Sequence, residues 1–392
     1  MSPPQAVAAL DTVAPWGYTG RVSLRLDGSI ASRCQTGTNV AALNGDLCYN
    51  DINDFSGNQQ KMVLVPRHCS AIDNTLEGSL TYWMGQPGET FPYAVGGSES
   101  GGEYEFVASG SGFNAIPGNS NGDISQAFIV DNKAKPWIFV SSYEGSVNAS
   151  YHTQFGGDIL ESVAGVAPAT AITPATARAD AERLGPGWEC MTIQILAMLQ
   201  TMTFVEYGTY NLQFTLGQGN TGPGGLINTG ATVSNGNASV GNVDYASSNA
   251  VSVRGWENGW GNVNKFLEGI NVNACLAYIA PQTRLQTYAC NRYTTPYVST
   301  GDSIPNGGFS YDQITSMFAN PADIWAFLPS AAAPSLQATS YLCSQFVNTQ
   351  ASGSAAVWQG GQHGNYSTAG LCYFMNSVSS NTAGARLCFL PP

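Results

Sequence analysis

Arg254-Gly-Trp-Glu-Asn-Gly-Trp-Gly-Asn-Val-Asn-Lys-Phe266 is the stretch on which the reading of this chain turns. It opens inside a strand-like run, Val251-Ser-Val-Arg-Gly-Trp256, and a second such run follows at Cys275-Leu-Ala-Tyr-Ile-Ala280. Ahead of it, residues 217–249 are rich in Gly, Asn, Ser and Thr and too poor in apolar residues to form a core alone, so they read as a long irregular excursion. Further upstream the pattern predicts two helices. Thr173 can cap the first, Pro174 suits its first position, Ala175 to Leu184 are mostly helix formers, and Gly185-Pro186-Gly187 stops it. The second spans about Met191 to Tyr207, with Ile195, Met198, Leu199, Met202 and Val205 spaced as one buried face. Downstream, Tyr311 to Phe327 reads as a short helix closing in a Pro-rich turn.

Residues 1 to about 160 read differently. Arg21-Val-Ser-Leu-Arg-Leu alternates with period two, Lys61-Met-Val-Leu-Val-Pro-Arg is a buried strand stopped by Pro66, and Pro136-Trp-Ile-Phe-Val-Ser-Ser-Tyr is a further strand. Gly-Ser loops separate them, at Gly96-Gly-Ser-Glu-Ser-Gly-Gly and Ser109-Gly-Ser-Gly. The Ala-, Thr- and Pro-rich stretch from Val163 to Ala179 sets a boundary: 1–162 a β-rich N-terminal region, 163–392 an α+β domain.

Composition narrows the function. Only 10% of residues are charged, well below the usual quarter, so the surface is largely neutral. A net charge of −12 opposes a nucleic-acid partner, whose phosphates are bound through Lys and Arg. No stretch of eighteen apolar residues occurs, and Met1-Ser2-Pro3-Pro4-Gln5 lacks a signal peptide's basic and apolar regions, so neither membrane insertion nor Sec export is expected. The nine cysteines (34, 48, 69, 190, 275, 290, 343, 372, 388) contain no C-x-x-C, which removes zinc-ribbon and thioredoxin-type readings. They are expected to be mostly buried thiols.

Four stretches together resemble the C-type-lectin-like proteins of phages and of diversity-generating retroelements, in the sulfatase-modifying-factor-type subgroup. They are the helix pair 175–207 with Gly187-Trp188 between its members, the 254–266 run, which is similar to the family's Gly-x-Glu-Asn-x-Trp-Gly-Asn strand and turn, the C-terminal segment, and an upstream leader. That segment carries Gly360-Gly361, Ala369-Gly370-Leu371 and Asn376-Ser-Val-Ser-Ser, and closes in Gly384-Ala385-Arg386-Leu387. Upstream, Arg33-Cys34, Gly57-Asn-Gln-Gln-Lys-Met-Val and Ser142-Tyr143-Glu144-Gly145-Ser146 look like the β-rich leader found ahead of this domain in phage structural proteins. The resemblance implies a C-type-lectin-like domain of two helices, short twisted antiparallel strands and long loops. It also implies a C-terminal segment whose displayed residues are varied by error-prone copying on a fixed scaffold, and a role in adhesion on the virion surface. Tyr366 stands where many relatives carry a smaller residue.

The residues themselves support a binding face. From Ile324 to Pro392 the only formally charged side chain is Arg386, so contact there must run through neutral groups. Trp358, Gln359, Gln362, His363, Asn365, Tyr366, Ser367, Tyr373, Met375, Ser377, Asn381 and Thr382 form a palette like an antibody paratope's, with aromatics for area and Ser or Asn for adaptable hydrogen bonds. The plain alternative is that they are half-exposed strand residues. Arg386 itself is expected to be buried against a carboxylate or carbonyls.

Catalysis is not expected. Formylglycine-generating enzymes share the fold type this sequence resembles, but Cys343, Cys372 and Cys388 lack the positive surroundings a thiolate needs. His68, His152 and His363 lie in no metal or triad motif, and no G-x-S-x-G elbow occurs. No cofactor is implied; Glu257-Asn258 is the only pair suggestive of calcium-dependent sugar binding, and a structural calcium elsewhere is left open. The expected partners are a host cell-surface protein or glycan, other virion proteins and further copies of the chain, a homotrimer suiting a phage appendage. The competing reading is a structural head-decoration or collar protein that binds no receptor.

Overall fold

The structure is a computed structural model that describes residues 16, 19–33, 59–73, 79–85, 93–98, 104–107, 125–207, 212–237, 239–241, 249–284, 294–304, 312–320, 324–333, 345–348, 354–363, 369–377 and 383–392. They are mixed helix and strand, organised around two larger sheets.

The first sheet has six strands in the order Trp188–Cys190, Leu387–Phe389, Trp137–Ser141, Gln59–Pro66, Gly20–Arg25 and Ile30–Arg33, each antiparallel to its neighbours. Its sequence signature is an unbroken apolar run in the strand Gln59–Pro66, and the reason is that both faces are covered. Side chains alternate across a strand, so Met62 and Leu64 face one way with Val22, Leu24, Phe139, Leu387 and Phe389, toward the helix Pro174–Glu182. Val63 and Val65 face the other way with Ile138 and Val140, toward the helix Ile193–Tyr207. Each fully buried side chain of this size contributes roughly 1.5–3 kcal/mol.

Both expected helices are present. Thr173 caps the first, its hydroxyl accepting the Thr176 backbone N–H at 3.2 Å, with Pro174 in the first turn. Gly185, at φ 124°, ends the turn after it. The helix Ile193–Tyr207 differs from the one-faced reading. Ile195, Met198, Leu199 and Met202 are buried, but so are Gln194, Gln200, Thr201, Thr203 and Glu206. These polar residues are tolerated because they find partners: Thr201 and Thr203 donate to the carbonyls of Ala197 and Leu199, and Gln200 Nε2 donates to Leu371 O at 3.2 Å.

The second sheet has eight strands in the order Val298–Ser303, Leu276–Ile279, Lys265–Asn273, Ser354–Gly360, Gly370–Ser377, Gln345–Asn348, Asp312–Asn320 and Ile324–Ala333. Every pairing is antiparallel except that of Gln345–Asn348 with Gly370–Ser377. The helix expected within Tyr311 to Phe327 is therefore corrected: the described residues there are two paired strands. The backbone ladder with the neighbouring strands outweighs local helix preference, and Pro329 is accommodated because Ile324–Ala333 lies at the sheet's edge. A separate four-stranded antiparallel meander contains Cys69–Asp73, Ser79–Gly85, Tyr93–Ser98 and Tyr104–Val107.

The composition change at Val163 marks the start of the helical part, yet strands from both sides of it share the six-stranded sheet. Trp137–Ser141 pairs directly with Leu387–Phe389, and Val22, Leu24, Met62, Leu64 and Phe139 share one apolar cluster with Trp188, Phe266 and Phe389.

Candidate ligand-display site

Residues 254–266 lie wholly in the interior. Each polar member of the run reaches a different part of the chain. Arg254 Nε pairs with Glu206 Oε1 at 3.0 Å, joining the run to the long helix. Glu257 accepts the backbone N–H groups of Gly230 and Thr232, each at 2.7 Å, and the Thr232 hydroxyl at 2.6 Å. A carboxylate that accepts several donors holds a loop through charge-assisted hydrogen bonds. The Gly-Asn-Ser-Thr-rich excursion is thus pinned by Glu257, and its earlier part by Asn262. The Asn262 side-chain oxygen accepts from Asn220 Nδ2 at 2.8 Å and from Ile227 N at 3.0 Å, and Trp260 Nε1 donates to Gly217 O at 2.9 Å. Asn258 and Asn262 adopt φ of 51° and 63°, a region that Asn enters more readily than most residues.

Glu144 closes the arrangement from the N-terminal side. Its Oε1 lies 3.0 Å from Lys265 Nζ, while its Oε2 accepts from the side-chain amides of Asn258, at 3.2 Å, and Asn262. Burial pulls the Lys265 amine down to about 8, Glu144 acting against that shift and Arg386 with it. Arg386 is buried as expected, and by carbonyls: Nη1 donates to Ser141 O at 2.8 Å and Nη2 to the carbonyls of Glu257 and Asn258. Its guanidinium also stacks over Trp256, 5.5 Å from the ring centroid. Burial lowers it to about 10, which leaves it charged at neutral pH. Of the Glu257-Asn258 pair singled out for calcium, the Glu257 carboxylate is taken up by the Gly230 and Thr232 donors, while Asn258 Oδ1 is buried and accepts no hydrogen bond among the described residues.

The C-terminal strands rest on this hub. Gly360 and Gly361 have φ of 95° and 73°, values that suit Gly, and the Gly360 carbonyl accepts the Gly261 N–H at 2.9 Å. Gly384 serves close approach instead, since a Cβ there would lie 2.7 Å from Ala169 O.

Of the twelve residues expected to form a binding face, the structure withdraws three from the surface. Trp358 is 6% exposed and packs edge-on against Phe266, with ring centroids 5.6 Å apart. Gln359 is fully buried and uses its amide to cross-link the carbonyls of Gly259 and Leu371, at 2.9 and 3.1 Å. Tyr373 is 2% exposed, its hydroxyl 3.7 Å from Met375 Sδ. Their strands are covered on both faces, which a polar-aromatic palette does not reveal. Gln362 is exposed, and His363 and Met375 are half-buried. Gln362 Oε1 accepts from Asn264 Nδ2 at 3.3 Å, and His363 N donates to Asn262 O at 3.0 Å, so both sit one bond from the hub. Ser377 ends the strand Gly370–Ser377. Asn365, Tyr366, Ser367, Asn381 and Thr382 lie outside the described residues.

Cys190, Cys275, Cys372 and Cys388 are buried thiols. Burial pushes the Cys190, Cys372 and Cys388 thiols well up, with nearby carboxylates adding to it at Cys190 and Cys388. A thiol so placed is poor in the reactive thiolate. His68 is likewise interior, edge-on to Phe128 at 5.0 Å, and burial lowers it to about 4, so it is neutral at pH 7.

Sequence reasoning missed Glu144 and Glu206 as partners of the central run. A signal was available: in a chain this sparsely charged, Lys265 at the head of an apolar strand and Arg254 beside Trp256 each demand a carboxylate from elsewhere. No protein-family model matches this sequence, and no curated protein matches it.

Proposed function

We propose that the chain is a virion-associated receptor-binding protein of the C-type-lectin-like kind, which recognises a host surface protein or glycan without chemistry or cofactor. The displayed face consists of the two C-terminal segments 362–368 and 378–382, with residues 1–162 serving virion attachment.

The observation that carries this reading is how those segments are tethered. Segment 362–368 leaves from Gly361 and rejoins at Ala369, and 378–382 runs between the strand that contains Asn376 and Ala383. Gly361 is buried, Ala369 is fully buried, and Asn376 and Ala383 are 2% and 5% exposed. Both segments carry no formal charge and contain Asn, Ser and Thr, the first adding Gln362, His363 and Tyr366 as the large aromatic. Polar sequence held at both ends by a fixed interior is what display requires, because the scaffold then tolerates change in the displayed residues. Neutral contacts of this kind are weak singly, and several copies on one particle strengthen them by avidity.

The test is binding of the purified protein to candidate host cells, comparing wild type with the triple variant Gln362→Ala, His363→Ala, Tyr366→Ala. The expected result is loss of cell binding with an unchanged unfolding temperature. Unchanged binding contradicts the face, and no binding to any host of the phage favours the decoration or collar role.

A further inference from the structure

Glu144 and Lys265 meet where water is excluded: both side chains are 0% exposed. The Lys265 Nζ is confined on every side that the structure describes. It lies 3.0 Å from Glu144 Oε1, donates to Gly261 O at 3.0 Å, and would be 3.3 Å from a Cβ placed on Gly360. The two carboxylate oxygens of Glu144 are not equivalent. Oε2 faces two amide donors, Asn258 Nδ2 and Asn262 Nδ2, and Asn262 is itself fixed by Asn220 and Ile227. Oε1 accepts no hydrogen bond beyond its contact with Lys265 among the described residues.

The geometry points to a covalent cross-link, an isopeptide bond between Lys265 Nζ and Glu144 Cδ. A proton passes from the ammonium to Oε1, and the neutral amine attacks Cδ. Negative charge then develops on Oε2, where the Asn258 and Asn262 amides already stand as an oxyanion hole. The adduct collapses as the Cδ–Oε1 bond breaks. Oε1 departs as water with two of the three protons of the former ammonium, and the third stays on the amide nitrogen. Nothing is oxidised or reduced and no co-reactant is needed. Burial assists twice: it holds the amine close to neutrality, and it favours expulsion of water from a site that does not readmit it. Confinement of both reactants supplies the proximity that a condensation in water lacks.

The bond would join the segment just after the strand Trp137–Ser141 of the six-stranded sheet to the first residue of Lys265–Asn273 in the eight-stranded sheet. It therefore staples the two sheets together, and it does so whether or not the chain binds a host.

The test is the intact mass of the denatured full-length chain, before and after prolonged incubation at about pH 7, below the Lys265 value, where the pair keeps the proton that Oε1 must receive. The expected mass is that of the sequence less one water, with a proteolytic fragment in which the peptide containing Glu144 is joined to that containing Lys265. The variant Lys265→Arg keeps a cation opposite Glu144 and should show the full mass. A wild-type chain at its full mass after the incubation overturns the proposal, as does a water loss that fragmentation maps to any other residue.

Discussion

Residues 254–266 and residues 358–382 share an alphabet of Trp, Asn and Gly, the first adding Arg254, Glu257 and Lys265, yet the structure treats them differently. In the first, every residue is interior, and its Arg, Glu, Asn and Lys side chains are bound to parts of the chain as distant as Glu144 and Gln362. In the second, Trp358, Gln359 and Tyr373 are interior while Gln362 is exposed and His363 half-buried. The lesson is that residue type does not separate scaffold from display. What fixes Gln359 in the scaffold is that its amide is claimed by the backbone carbonyls of Gly259 and Leu371.

The sharpest way to break this contrast is to remove the central cation. Arg386→Met strips three carbonyls of their donor and should cost about 3–5 kcal/mol, as loss of one side of a buried charged network does. Urea unfolding measures it, and a cost near zero would remove the hub from the account.

A buried carboxylate without such donors should behave in the opposite sense. Glu189 is 3% exposed, its Oε2 accepts no hydrogen bond, and burial, helped by Glu182 and Glu268 and opposed by Arg178, raises it to about 9. Its folded value lies above its unfolded one, so its protonated form stabilises the fold below about pH 4.5, and that contribution is lost as pH rises toward 9. Glu189→Gln should therefore raise stability at pH 7 by about 3 kcal/mol and flatten the profile across this window. A variant no more stable than wild type at pH 7 would show that Glu189 is accommodated as a carboxylate.

Glu257 supplies the intermediate case. Glu257→Gln keeps one acceptor but turns an amide N–H₂ toward the Thr232 donors, so it should cost about 2 kcal/mol and speed amide exchange at Gly230 and Thr232. Smallest of all, Gln362→Ala with His363→Ala should change stability by less than about 0.5 kcal/mol. A larger loss, read by the same urea titration, would make these residues part of the scaffold.

Much of the interior was legible. The Thr173-Pro174 start, the Gly185 stop, the strand Gln59–Pro66 and the carbonyl-bound Arg386 all follow from local chemistry, because capping, glycine's reach into positive φ and the need to satisfy a buried cation act within a few residues. The misreadings share a cause. Residues 312–320 pair with Gln345–Asn348 as well as with the strand that follows them, Trp358 and Tyr373 are covered, and the described side chains of helix Ile193–Tyr207 are buried all round, since each outcome depends on which element lies alongside. The partnership of Glu144 with Lys265 likewise joins residues 121 apart, so the local sequence shows that Lys265 needs a carboxylate but not which one.

The most direct test of the central claim is an alanine scan from residue 354 to residue 390 that reads folding and host-cell binding for every variant. The account predicts that the two readouts separate: substitutions at Trp358, Gln359, Tyr373 and Arg386 lower stability, and those at Gln362, His363, Asn365, Tyr366, Asn381 and Thr382 lower binding at unchanged stability. Binding that falls only where folding falls would contradict it.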